Sequence, residues 1–149
     1  MLALIRAPNG DVTSIHRTYL ENGAKAAMTN PRRVMAGSIA KGSAIRMMPH
    51  DGVLGIAEGI ETAFRASQRF GIPCWSAMFA DYLEQFEWPA GLRELHIFGD
   101  NDLKFRGQAA AYRLGYRAMT ARAPVPAFIH IPDDPGTDWA DGVPVARAA

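Results

Sequence analysis

The chain has 149 residues, 48% of them hydrophobic, with a formal net charge of +1, enough for one well-cored domain with an extension and too little for two large ones. No run approaches the roughly 18 apolar residues of a membrane span, and Met1–Arg6 lacks the length and flanks of a signal peptide, so a soluble cytoplasmic protein is expected. Cys74 stands alone, which excludes an intramolecular disulfide and a cysteine-rich zinc site.

The charge is unevenly spread. Residues 1–50 hold seven Lys/Arg against Asp11 and Glu21, whereas residues 51–100 hold three Arg against eight acids. A basic portion beside an acidic one suits a polyanion held by the first and a metal held by the second. Ordinary solvated surface would give the same totals.

Met1–Arg6 and Thr13–Leu20 read as two strands joined by the turn Pro8-Asn9-Gly10-Asp11, since Asn-Gly is a strong hairpin signal. From Glu21 to Pro49 the chain is rich in Gly, Pro, Asn and Lys/Arg with little periodicity. It is expected to be a loop-dominated basic excursion with a short strand at Ala44–Met48. A loop this long has a job or packs on something else. Arg32, Arg33 and Lys41 are its candidates to track a nucleic-acid backbone, because few acids stand near them in sequence, and Arg17 in the strand before it joins them. Residues 1–50 are therefore taken as a basic β-rich extension and residues 51–149 as the main domain.

At Val53 the pattern changes to strand–helix alternation. Val53–Ala57 is a strand, and Ile60, Ala63, Phe64, Ser67 and Phe70 recur at helical spacing up to Gly71. Ile72–Met78 is a second strand, with Cys74 expected in the core. A short helix over Ala80–Phe86 precedes a third strand at Glu94–Phe98. Ala111, Leu114, Ala118 and Ala121 line a helix from about Phe105 to Arg122, and Ala127–Ile131 is a fourth strand. Such alternation implies right-handed crossovers and a mostly parallel four-stranded α/β sheet flanked by helices.

Two of these strands break off in acids at a glycine. Glu58-Gly59 follows the first and Gly99-Asp100-Asn101-Asp102 the third. A strand buried on both faces has no place for a carboxylate until it emerges at its C-terminal end, the edge where open α/β sheets bind ligands. Glu58, Asp100 and Asp102 are thus candidates to meet at one rim, where a cation would relieve their repulsion. Mg²⁺ needs only one or two carboxylates plus substrate phosphates, and Glu58 is also placed to act as general base on a hydroxyl. Asp and Asn are equally common at turns and helix N-caps, so Asp100-Asn101-Asp102 alone does not decide. Glu61 reads as a first-turn helix acid or a supporting group. Asp138, in the acidic turn Pro132–Asp141, is near enough to join the rim. Arg106, Arg113 and Arg117 share a helix face, for phosphate steering or plain solvation. His16 and His96 have no ligand-like partner at short spacing and read as structural.

Ala57-Glu58-Gly59-Ile60-Glu61, Asp100-Asn101-Asp102 with Gly107-Gln108-Ala109-Ala110, and Gly136-Thr137-Asp138-Trp139 together resemble the Toprim domain, in the version found in phage- and plasmid-type DNA primases. His16-Arg17-Thr18-Tyr19-Leu20 and Pro31-Arg32-Arg33 resemble, more loosely, the basic portion upstream of it. The resemblance implies a compact Rossmann-like fold of four parallel strands and a Mg²⁺ site, with Mn²⁺ an alternative, at Glu58, Asp100, Asp102 and Asp138. It implies primase-type nucleotidyl transfer on a single-stranded DNA template from nucleoside triphosphates, with Arg106 added to the nucleic-acid-binding set. Such primases carry a zinc-binding module upstream and many carry a helicase domain, so a fragment of a larger primase or a stand-alone remnant is expected. A metal-dependent nuclease of the same fold and a non-catalytic nucleic-acid-binding module are the alternatives.

Overall fold

Short apolar runs, each too brief for a helix, form the centre of the molecule. They are β6 (Val53–Ala57), β7 (Cys74–Ser76), β8 (Glu94–Phe98) and β9 (Ala127–His130), all parallel in the order β7-β6-β8-β9. The structure is a computed structural model and describes residues 1–141. Strand alternation divides the side chains between two faces. Leu54, Ile56, Leu95 and Ile97 point into one core, shared with Leu83 of α2 (Ala80–Gln85) and with Ala110, Ala111, Leu114 and Ala118 of α3 (Arg106–Thr120). Ala57, Cys74 and Phe98 point the other way, against Ala63 and Ala66 of α1 (Ile60–Phe70).

The helices meet the sheet through small residues, and this shifts one expected face. Ile60, Ala63 and Ala66 of α1 are buried, while Phe64 is 47% exposed. Gly71 ends the helix in the left-handed region at φ 69°, its N–H donating to the Ser67 carbonyl. The second strand is shorter than Ile72–Met78. Pro73 offers no N–H to the ladder, although its carbonyl accepts from Gly55, and Met78 turns away at φ 74°.

The N-terminal portion is more ordered than the expected loop. β1 (Leu2–Arg6) and β2 (Val12–Thr18) pair antiparallel, and β5 (Arg32–Val34) adds to β2 with His16 opposite Val34. A hairpin of β3 (Leu20–Glu21) and β4 (Ala24–Lys25) lies between them in sequence. Elements of two or three residues leave no periodic trace, because backbone pairing alone defines them. The strand expected at Ala44–Met48 is reduced to a two-residue stitch. Ala44 exchanges hydrogen bonds with Arg6 (2.9 and 3.0 Å), and Ile45 exchanges them with Ser76 (2.8 and 3.1 Å). The N-terminal sheet is thereby fastened to the β7 edge, over a small core of Ile5, Ile45, Ile60 and Met78. No described helix is long and apolar enough to cross a membrane.

Candidate functional site

The β6–β8 register sets Ala57 beside Phe98. The two strands end level, and Glu58 and Asp100 leave from neighbouring strands at one edge. Both residues are half-buried, and Glu58 Oε2 and Asp100 Oδ1 are fully buried atoms without a hydrogen-bond partner in the protein. Burial, followed by the charges of Glu58, Asp138, Asp102 and Asp141, carries the Asp100 carboxyl up to about 7. Glu58 is also raised, by burial first and then by Asp102, with the Ala80 amide and Arg106 acting the other way. Two orphaned carboxylate oxygens with raised proton affinity are what a cation would satisfy.

A cavity of about 60 Å³ opens here, bordered by Glu58, Glu61, Asp100, Asp138, Lys25 and Arg32. A water molecule occupies about 30 Å³ in the liquid, so the space admits an ion with one or two waters and not a nucleotide. Lys25 and Arg32 arrive from the N-terminal portion, and Lys25 Nζ lies 3.0 Å from Glu61 Oε1. Although burial pushes Glu61 upward, its own backbone N–H and Lys25 hold it below the ordinary value.

Asp102 and Asp138 are partly engaged elsewhere. Asp102 Oδ2 accepts the Gly107 N–H of the first turn of α3 at 2.7 Å, while Asp138 Oδ1 accepts the N–H groups of Ala140 (2.6 Å) and Asp141 (3.0 Å). Asp102 borders the outer surface with Lys104 and Arg106 and is not part of the cavity wall. Among the described residues no three His, Cys, Asp or Glu side chains close into a ready metal cage. That arrangement is compatible with Mg²⁺, which keeps waters and takes substrate oxygens, and not with a structural zinc site.

Three residues that the sequence marked only as parts of a motif hold the acids in place. Asn101 Nδ2 donates to the Pro132 carbonyl at 2.8 Å, and its backbone exchanges bonds with Thr137 and Gly136. The turn carrying Asp138 is thus fixed to the end of β8. Gln108 Nε2 donates to Asn101 Oδ1 (2.7 Å) and to the Asp102 carbonyl (3.0 Å). Gly107 must lack a side chain, because a Cβ there would lie 2.6 Å from the Asp100 carbonyl oxygen. The spacing of Gly107-Gln108 after Asp102 was the available signal, read as motif rather than as support.

The basic candidates do not form one track. Arg32 borders the cavity. Arg17 and Arg33 pair across β2 and β5 and take the alternate side, with Arg33 5.7 Å from the Tyr19 ring. Lys41 lies beside α2 and α3. Arg106 turns to α2, bonding Asp81 and also Glu84 at 2.9 Å. Arg113 also reaches Glu84 (3.1 Å), and Arg117 donates to the Glu84 and Phe86 carbonyls (2.6 and 3.2 Å). His16 is buried, and burial together with Arg32 lowers its pKa. His96 Nδ1 pairs with His130 Nε2 at 3.0 Å across β8 and β9.

A four-stranded parallel sheet between helices, with acids at the C-terminal ends of two adjacent strands, defines an α/β domain with an acidic ligand edge. The chain belongs to the Toprim domain family, whose pattern it matches over residues 53–146. Residues 1–47 match a domain family of unknown function. The fold is similar to a DNA primase domain from Pseudomonas aeruginosa (TM-score 0.56, 11% identity), covering 93% of this chain and 44% of that one. It is also similar to the RNA polymerase domain of the Mycobacterium tuberculosis primase (TM-score 0.53, 17% identity), covering 94% and 49%. The chain therefore spans less than half the length of either solved protein. No curated protein matches it.

Proposed function

We propose that this chain is the Toprim catalytic part of a DNA primase, performing Mg²⁺-dependent nucleotidyl transfer on a single-stranded DNA template from nucleoside triphosphates. The observation that carries this reading is the pair of buried, unpartnered oxygens on Glu58 and Asp100, two residues that border one small cavity. Glu58 and Asp100 would hold the cation, with Asp138 and Asp102 supporting. The ion, Mg²⁺ or Mn²⁺, would neutralise charge on the transferring phosphoryl group and the leaving pyrophosphate. Glu58, held above its ordinary carboxylate value by burial and then by Asp102, would be placed to accept the proton of the attacking 3′-hydroxyl. Arg32 and Lys25 at the cavity meet phosphate oxygens, and Glu61 orients Lys25. Arg17 and Arg33 contact nucleic acid on the outer side of the basic extension. The domain division falls near residue 50, and a zinc-binding module or a helicase would belong to a longer chain or a partner in the cytoplasm.

Incubation with single-stranded template, ribonucleotides and Mg²⁺ tests this. New oligonucleotides support the reading, and a shortened template would point to a nuclease instead. The Glu58→Gln variant is expected to keep its fold and lose synthesis by at least about a hundredfold, in line with loss of a general base. Undiminished synthesis would remove Glu58 from the mechanism.

A further inference from the structure

An open groove of about 460 Å³ lies between α2 and α3, with Glu84 in its floor and Lys41, Gln85, Tyr112, Arg113, Tyr116 and Arg117 around it. Its volume falls in the range of ligand sites, far above that of the acidic cavity. Tyr112 and Tyr116 are 60% and 72% exposed, although α3 is otherwise anchored by Ala, Gly and Leu. At i and i+4 they share one helix face, about 6 Å apart along the axis. Among the described residues neither ring pairs with another aromatic, and both are largely exposed.

Charge selects the occupant. Three cations surround one carboxylate, and that carboxylate is already neutralised, Glu84 being bonded to both Arg106 and Arg113. Lys41 makes no ion pair among the described residues. Arg117 is pinned by two carbonyls and lies 5.7 Å from the Trp88 ring, which fixes one wall. Exposed aromatic rings alternating with cations are the elements with which proteins bind single strands, rings for bases and cations for phosphates.

We infer that the α2–α3 groove is a second nucleic-acid site, binding a single strand by stacking bases on Tyr112 and Tyr116 while Lys41 meets its phosphates. This rests on the nucleic-acid reading above but not on the acidic cavity, and it gives Lys41 a place separate from Arg32 and Arg33.

Fluorescence anisotropy with a labelled oligo-dT of about 20 nucleotides decides it. Tyr112→Ala/Tyr116→Ala is expected to weaken binding at least about tenfold with unchanged circular dichroism, and Tyr112→Phe/Tyr116→Phe to bind as the unaltered chain does. Lys41→Ala should lower the slope of log affinity against log salt by about 1. Equal binding by the double alanine variant would overturn the inference. So would absence of binding by the unaltered chain at low salt, or a tyrosine-dependent self-association with oligonucleotide binding intact, which would make the groove a protein interface. Primer synthesis separates the two readings. Tyrosine-dependent binding without any synthesis sinks the primase reading alone, whereas full synthesis and binding by the alanine variant sink the groove alone.

Discussion

Asp100 ties the acidic cavity to folding stability. Its carboxyl titrates near 7 in the folded chain and near 3.9 when unfolded. Between those values the unfolded chain has lost a proton that the folded one keeps, so stability without a divalent ion falls as pH rises from about 4 to about 7. Asp100→Asn removes that loss. Solvent at the cavity mouth screens part of the effect, leaving about 1–2 kcal/mol, or about 3–8 °C in Tm at pH 7.5. Thermal melts should show this gain, together with Mg²⁺ raising the Tm of the unaltered chain more at pH 7.5 than at pH 5.5 and leaving Asp100→Asn unmoved. Glu58 and Asp100 were legible in the sequence because a carboxylate that ends an apolar run has few other places to be. Asn101 and Gln108 were not. Their work is to bond carbonyls and side chains brought together by folding, and in a linear reading they are ordinary turn and helix residues.

The strands β6 and β8 were readable to their end residues, since each is a short, mostly apolar run whose last residues are fully buried. β5 was not, having three residues and two exposed arginines. The arginines of α3 show the limit of face arguments. Arg106, Arg113 and Arg117 share a side as expected, but that side is largely occupied by α2, and they fasten the two helices together. Arg117→Ala leaves two carbonyls unpaired and removes the contact with Trp88, at an expected cost of about 1–2 kcal/mol. Arg113→Ala breaks a more exposed pair and should cost under about 1 kcal/mol. Urea midpoints of the two variants test that order, and a larger loss for Arg113→Ala would contradict it.

The two portions of the molecule meet at the stitch at Ala44-Ile45 and its small apolar core, at the Lys25–Glu61 pair, at the Gly42 carbonyl that accepts the Glu87 N–H, and around Trp75, whose Nε1 donates to the Met48 carbonyl and whose ring lies against Arg46. Ile45→Pro removes the N–H that donates to the Ser76 carbonyl and a side chain that is 4% exposed. All three tryptophans, Trp75, Trp88 and Trp139, lie after residue 50. In the unaltered chain tryptophan fluorescence and circular dichroism should therefore unfold at the same urea concentration, whereas Ile45→Pro should separate them by melting the N-terminal sheet first. Coincident transitions in the variant would show that the stitch is dispensable. A different consequence attaches to Cys74, which sits in β7 with no exposed surface and whose thiol burial pushes strongly towards the protonated form. Only a thiolate attacks a disulfide reagent, so colour from such a reagent can develop no faster than the β7 edge comes apart. The chain thus contains an intrinsic stopwatch for its own opening, and any ion or oligonucleotide that tightens the sheet should slow its hand.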